Sequence, residues 1–393
     1  MTALTILCDI VGHCGGAERY WETVVPELAR AHDVRLFGRD VRGEHSFGVR
    51  AEQIAWASDE QPASAQAAER VAHALDGGGT VITANVFDPL VLQAVRRKAT
   101  RWIARIHDHR TFCPNGNKTF PQFRGVCGFA MGKACVVNSA LRGCVCGPRP
   151  ASFERIRNRM RGRDVLREAG TVLVSSSYMQ ALCVQNGISA ARIRITPPPV
   201  ADAFFAAHER PSARSVLFFG RVNEEKGIFS LIRALAALAP ADRPPLAVAG
   251  ECGDASGARA TALALELGVK AEWLGWLSQS QLRGAIDESR VVALPSLWPE
   301  PFGLAGIQAL ARARPVVAYD VGGIAEWLDG GGTAVRRGDE RALGAAIASL
   351  CGNEAHWRAA CDAARRTAGR YRLDAHMETL RDVLDLQQDG IAS

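Results

Sequence analysis

The stretch Val216-Leu217-Phe218-Phe219-Gly220-Arg221-Val222-Asn223-Glu224-Glu225-Lys226-Gly227 decides how the chain is read. Four apolar residues of strand type run into a glycine, and a helix is predicted beyond Gly227. Two cations, Arg221 and Lys226, therefore stand between the C-terminal end of a strand and the start of a helix. Open α/β sheets bind ligands at that edge, and two cations there can converge on one diphosphate through charge-assisted hydrogen bonds. A solvated loop in which Glu224 and Glu225 pair with these bases is the alternative.

Outward from this loop the same alternation recurs. Strands are predicted at Leu246 to Ala249, Ala271 to Leu274, Val291 to Leu294 and Val316 to Ala318. Before it they are predicted near Leu4 to Cys8, Val34 to Phe37, Val81 to Ala84, Trp102 to Ile106 and Val172 to Ser175, with helices such as Ala17 to Ala31 and Pro89 to Lys98 between them. Short β-branched runs alternating with amphipathic stretches predict βα units and mostly parallel sheets. Thr196-Pro197-Pro198-Pro199-Val200 interrupts the series, because successive prolines continue neither a helix nor a central strand. The patternless run Ala201 to Ser215 follows as a linker. Apolar residues at helical spacing from Leu373 to Gln387 predict a last helix.

The expected fold is α/β with two Rossmann-like domains: residues 1–200, carrying a cysteine-rich insertion at 113–148, and residues 201–372. The chain has 393 residues, 48% of them apolar and 22% charged, which excludes a disordered or fibrous class. No apolar run approaches the roughly 20 residues of a membrane span. The first residues read as a strand rather than a signal peptide, so a cytoplasmic protein is expected. A formal net charge of +6 is too mild for a nucleic-acid binder and suits a small anionic ligand.

Gly12-His13-Cys14-Gly15-Gly16-Ala17-Glu18-Arg19 follows the first strand and leads into a helix. Glycines here let backbone amides approach a phosphate at a helix N-terminus, or simply make a tight turn. The spacing is not G-x-G-x-x-G, and the second strand runs into Gly38-Arg39 where a ribose-binding acid would stand, so no nicotinamide cofactor is expected. After Val291 to Leu294 the chain reads Pro295-Ser296-Leu297-Trp298-Pro299-Glu300-Pro301-Phe302-Gly303-Leu304-Ala305-Gly306-Ile307-Gln308. Pro301 suits a first helical position, which would put Glu300 at the cap and the amides of Phe302, Gly303 and Leu304 in front of it. His107-Asp108-His109-Arg110 ends another strand, and a polar cluster there is in a site-bearing position.

Together these motifs resemble the retaining nucleotide-sugar glycosyltransferases of family 4, which have the GT-B fold. The resemblance rests on Gly15-Gly16-Ala17-Glu18-Arg19, His107-Asp108, Gly220-Arg221 with Lys226-Gly227, Ala249-Gly250-Glu251, Leu274-Gly275, Pro295-Ser296, Glu300-Pro301-Phe302-Gly303, and Arg314-Pro315-Val316-Val317-Ala318 with Gly322-Gly323 and Glu326. It implies two domains facing across a cleft, with the last helix, in residues 373–393, returning to the first.

It further implies a nucleoside-diphosphate sugar donor whose diphosphate is held by Arg221, Lys226, Gly15, Gly16 and the amides of Phe302, Gly303 and Leu304. Glu300 would contact the transferred sugar and Gly250, Trp276 and Gln308 the nucleoside. His107 would act at the acceptor side beside Asn85, Asp108 and His109, with no catalytic metal. The acceptor would be a hydroxyl on a small molecule, glycan or lipid, in polysaccharide, glycolipid or glycosylated natural-product synthesis. Gln308 departs from the family's second glutamate, which normally bonds the ribose hydroxyls. An epimerase or phosphorylase on the same fold, or a non-catalytic sugar-nucleotide binder, is the rival reading.

Two features stand outside that frame. Cys113, Cys127, Cys135, Cys144 and Cys146 lack the paired C-x-x-C spacing of a zinc ribbon. A structural zinc, thiols packing a loop and disulfides all stay open. The run Arg149 to Glu168 carries seven arginines against three acids, net +4. It reads as a solvated helix, or as a peripheral contact with membrane phosphates or with an anionic acceptor.

Overall fold

The computed structural model describes residues 3–12, 15–42, 47–56, 64–145, 147, 149–205, 215–251, 255–328 and 330–385. Contacts divide the chain into one unit of Met1–Pro198 with His376–Ser393 and another of Pro199–Ala375. In the first, strands β1 Ala3–Val11, β2 Asp33–Val41, β3 Ala51–Gln53, β4 Thr80–Ala84, β5 Arg101–Ile106, β6 Thr171–Val174 and β7 Ile193–Ile195 form a sheet in the order β3-β2-β1-β4-β5-β6-β7. Helices α1 Gly16–Ala31, α2 Ala65–Ala74, α3 Pro89–Lys98, α4 Lys133–Arg142, α5 Arg149–Leu166 and α6 Ser177–Gln185 accompany it.

The second unit repeats the plan. Strands β8 Val216–Phe219, β9 Leu246–Ala249, β10 Ala271–Gly275, β11 Val291–Leu294, β12 Val316–Tyr319 and β13 Gly332–Val335 lie in the order β10-β9-β8-β11-β12-β13. Its helices are α7 Ile228–Ala236, α8 Ala255–Glu266, α9 Gln279–Glu288, α10 Leu304–Ala311, α11 Ala325–Leu328, α12 Glu340–Gly352 and α13 Glu354–Ala368. The last helix, α14 Leu373–Asp385, begins in the second unit and continues in the first, where Arg101 donates to the carbonyls of Val383 and Leu384.

Neighbouring strands pair in parallel in both sheets. A parallel sheet covered by helices is buried on both faces, which is why its strands read as unbroken apolar runs; Val291 to Leu294 and Val316 to Tyr319 are buried throughout. The order of strands reverses between β1 and β4 and between β8 and β11, the switch points at which such sheets open a crevice at their C-terminal edge. Register then sets what stands there. Cys8 pairs with Ala84 and Ala84 with Arg105, so Asp9, Asn85 and His107 reach the edge nearly level.

Several local expectations are corrected. The helix expected from Pro301 starts at Leu304 with Gly303 as its N-cap, at φ 88°. Pro301 favours a helix start, yet Gly303 takes a left-handed turn that the indole of Trp327 and Ile324 close over. The cysteine-rich insertion, whose sequence shows little strand or helix pattern, contains α4. The linker is anchored where it is described: Val200 donates to the Tyr371 carbonyl at 2.8 Å, and Phe204, in a 3-10 turn, is buried. Residues 206–214 lie outside the described ones.

Close backbone approach fixes the second switch point. Gly227, at φ 78°, would place a Cβ 1.8 Å from the carbonyl oxygen of Pro295. Gly227→Ala is expected to lower the unfolding free energy by about 2 kcal/mol or more. Urea denaturation measures it, and a loss below about 0.5 kcal/mol would mean that the two loops part freely.

Candidate functional site

At the second switch point the residues of the opening motif meet the segment after β11. The Lys226 Nζ donates to Glu300 Oε1 at 2.7 Å, and Ser296 Oγ donates to the same oxygen at 2.6 Å. The ammonium also stands 5.0 Å from the centre of the Trp298 ring. Glu300 is only 7% exposed. Burial alone would raise its carboxyl, but the charge and hydrogen bond of Lys226 together with the Ser296 hydroxyl outweigh it and hold the group below the ordinary glutamate range. Glu300 is thus an oriented carboxylate at neutral pH. Its neighbour Glu225 goes the other way, raised by burial against the nearby charges of Arg221 and Lys226.

The backbone around this pair is stapled from three loops. Leu297 N–H donates to the Glu225 carbonyl at 2.9 Å and Gly323 N–H to the Glu300 carbonyl at 2.7 Å. Gly322, at φ 62°, lies so close to Glu300 that a Cβ would sit 2.2 Å from its carbonyl oxygen. Arg221 is exposed and reaches Glu225 only at 3.4 Å, leaving it able to turn toward an anion. Leu304, Ala305 and Gln308 form the half-buried face of α10, and Gln308 makes no side-chain hydrogen bond with the described residues. The first-turn amides of that helix belong to Leu304 and Ala305, with Gly303 at its N-cap and Phe302 outside it. Phe302 is buried instead, its carbonyl accepting from the Trp327 indole at 2.6 Å. Gly250, at φ 155°, approaches Gly220 too closely for any side chain, and Trp276 is exposed just beyond β10.

The first unit gathers a polar cluster at its own edge. Asn85, at φ 54°, accepts from the His107 N–H at 2.8 Å and donates to Asp108 at 3.0 Å. Asp108 accepts from Arg110, and Arg110 and Arg39 both pair with Asp9, at 2.9 and 2.6 Å. The His107 ring lies edge-on to Tyr20 and Trp21, and its buried Nε2 has no hydrogen-bond partner among the described residues. Burial first, then the positive charges of Arg105 and Arg110, push its pKa well below the ordinary value. His107 is a neutral imidazole with a nitrogen awaiting a partner. His109 is 0% exposed and bonded to the Tyr178 hydroxyl at 3.1 Å. Gly15 caps α1 in extended backbone and Gly16 opens it, while residues 13–14 lie outside the described ones.

Beside His107, through the Tyr20 ring, lies a network that no motif in the sequence announces. The buried Arg105 donates to the hydroxyl and carbonyl of Thr196 and sits 4.5 Å over the Tyr20 ring. His376 of α14 contacts the Pro197 carbonyl through Nδ1 at 2.8 Å. A carbonyl only accepts, so Nδ1 carries the proton, and Tyr20 O–H donates to Nε2 at 3.0 Å. The one available signal is Arg105 itself, a charge among the buried apolar residues Trp102 to Ile106 of β5.

Cys113, Cys127, Cys135 and Cys144 line one small cavity with Phe112 and Lys118, while Cys146 falls outside the described residues. Among the described residues no group of three or more His, Cys, Asp or Glu side chains is arranged to hold a metal ion. No described helix is long and apolar enough to cross a membrane.

Residues 201–367 match the family model described as "Glycosyl transferases group 1". Glycogen synthase of Mycobacterium tuberculosis is 28% identical over 199 residues, covering 50% of this chain and 46% of that protein. The D-inositol 3-phosphate glycosyltransferase of Corynebacterium jeikeium is 36% identical over 163 residues, covering 35% and 38%. The chain thus spans less than half the length of these curated relatives. A crystal structure of Anabaena HepE in complex with UDP-glucose superposes with a TM-score of 0.72 at 17% identity, covering 97% of this chain and 99% of that one. That likeness shows the fold, two Rossmann-like parallel-sheet units of the GT-B class.

Burial gives a pH signature. Desolvation first, then the charge of Arg105, lowers His376 to about 3, and His107 is also held low. The unfolded chain binds these protons below about pH 6.5 and the folded chain does not, so stability falls as pH drops from there toward the folded values. Each histidine adds up to about 1.4 kcal/mol per pH unit to that slope. His376→Gln is expected to flatten denaturation free energy against pH between 6 and 4 by about one proton; an unchanged slope would show His376 to be charged when folded.

Proposed function

We propose that the whole chain belongs to the glycosyltransferase group whose model its residues 201–367 match, and that it is a retaining, family 4 enzyme. It transfers a glycosyl group from a nucleoside-diphosphate sugar to an acceptor hydroxyl. The observation that carries the reading is the Glu300 carboxylate, buried yet charged, held by Lys226 and Ser296 at the switch point of a parallel sheet. That arrangement is costly unless an oriented carboxylate is needed. The relatives' names and the UDP-glucose complex of a protein with the same fold support the donor class.

In this mechanism Arg221 and Lys226 meet the donor diphosphate, aided by the positive end of α10 at Leu304 and Ala305. Glu300 accepts hydrogen bonds from the hydroxyls of the transferred sugar and fixes its orientation. The bond between the anomeric carbon and the β-phosphate oxygen breaks as the acceptor oxygen attacks from the same face. The acceptor proton passes to the departing phosphate oxygen, so configuration is retained and a nucleoside diphosphate leaves. Negative charge grows on that diphosphate, and cations already in place lower the barrier. These groups perform that work without requiring a metal ion. His107, neutral and with Nε2 unsatisfied, offers a hydrogen bond to a sugar or acceptor hydroxyl, while Asn85 and Asp108 fix its backbone. Gln308 faces the ribose with an amide in place of a carboxylate. The work is cytoplasmic, where such donors are available.

Thermal shift and donor hydrolysis across a panel of nucleoside-diphosphate sugars tests the reading. At least one donor should stabilise the protein, and Lys226→Ala should weaken its binding about tenfold to a hundredfold. Stabilisation by none of them would refute the assignment. Turnover without an acceptor alcohol, or with free phosphate in its place, would move it to an epimerase or phosphorylase. Gln308→Glu should tighten binding of the nucleotide about fivefold; no change in affinity or base preference would show that Gln308 does not face the ribose.

A further inference from the structure

The segment from Cys113 to Arg163 holds ten basic residues and a single acid, Glu154, for a net charge of +9 against +6 for the entire chain. The remaining residues are therefore net negative, at −3. The same segment holds Val126, Phe129, Val136, Val137, Leu141 and Phe153, six of the nine large hydrophobic side chains exposed among the described residues. Positive charge and uncovered apolar surface are concentrated in one place.

α4 shows how they combine. None of its residues is fully buried. Val136, Val137, Ala140 and Leu141 fall within one arc of the helix, and Val137 and Leu141 are 53% and 79% exposed. Exposed Lys133 and Arg142 bracket this ridge at the two ends of the helix. The Arg142 guanidinium lies 4.8 Å over the Phe120 ring, and Phe120 packs edge-on against Phe129, which is itself 49% exposed. Arg124 before α4 and Arg157 and Arg161 on α5 are exposed as well. Arg159 and Arg163 are not part of the surface: one covers Phe87 and the other donates to the Met131 carbonyl, which ties the insertion to α5.

We propose that the α4 ridge and its surrounding cations form a docking surface for a membrane rich in anionic lipids. Val137, Leu141 and Phe129 would enter the boundary between headgroups and acyl chains, while Lys133, Arg142, Arg124, Arg157 and Arg161 bind lipid phosphates. Charge complementarity identifies the occupant as anionic. The ridge itself is aliphatic, and apolar side chains ringed by cations match a lipid surface, apolar beneath an anionic face, rather than a nucleic acid. The inference does not depend on the glycosyltransferase reading.

Sedimentation of the full chain with vesicles tests it. One set is phosphatidylcholine alone and the other equal parts phosphatidylcholine and phosphatidylglycerol. The protein should bind the second set at low salt, bind the first at least tenfold more weakly, and be released as salt rises. Arg124→Gln, Lys133→Gln and Arg142→Gln together should weaken binding on the order of a hundredfold, each cation near an anionic surface being worth about fivefold. Val137→Asp with Leu141→Asp should weaken it at least tenfold, with the thermal midpoint unchanged because both side chains face solvent. Leu265→Asp, a change at an exposed leucine of the second unit, should leave it unaltered. Failure to bind either set would overturn the proposal. So would binding that the two aspartates leave intact while a soluble polyanion competes it away, which would point to an acidic macromolecule.

Discussion

Backbone packed too tightly for any side chain is the constraint from which the second unit's site follows. Four loops, after β8, β9, β11 and β12, converge at the switch point, and three glycines lie against their carbonyls: Gly227 on Pro295, Gly322 on Glu300, and Gly250 on Gly220. Because the loops cannot part, Lys226 and Glu300 are brought together across a separation of 74 residues and desolvated together. The ion pair is a consequence of the packing as much as a cause of it. Removing Lys226 would leave a buried carboxylate without a counter-charge, a more severe loss than the pair contributes when intact.

The first unit solves a related problem with the opposite sign. Arg105 is a buried cation, and its compensation comes from the Tyr20 ring face and the oxygens of Thr196 rather than from a carboxylate. An acid there would have favoured a charged His107. A cation keeps it neutral, and a neutral imidazole with a bare Nε2 can exchange a hydrogen bond with a hydroxyl in either sense. The Tyr20 to His376 bond ties that environment to α14, 356 residues away in sequence.

The legible parts of the fold are those whose cause is local. Strands such as Val291 to Leu294 are readable because a doubly covered parallel strand must be continuously apolar, and Lys226 and Glu300 are readable because each sits in a short motif beside such a strand. Strands β3 and β7, at three residues each, are too short to carry a pattern. The start of α10 is not legible locally because proline's preference for a first helical turn is a local rule, whereas Gly303 obeys the tertiary demand of Trp327 and Ile324. The burial of His109 is illegible for the same reason. Its neighbours in sequence are polar, but Tyr178, 69 residues on, decides its burial. Nothing in the sequence around Tyr20 announces His376.

The insertion between β5 and β6 follows a different logic from both sheets. Its polar and glycine-rich composition leaves little apolar material to bury, so α4 keeps no fully buried residue and is held through the cysteine-lined cavity, Lys118 reaching the Phe129 carbonyl, and Arg163 reaching Met131. A segment that cannot build a core usually presents a polar surface. This one presents valine and leucine ringed by lysine and arginine, and almost no acid to neutralise them. Stability within the fold offers no reason to gather such side chains in the open, since each exposed aliphatic group there forgoes the gain of burial. The reason has to lie outside the chain, in a surface that is anionic at its face and apolar beneath it.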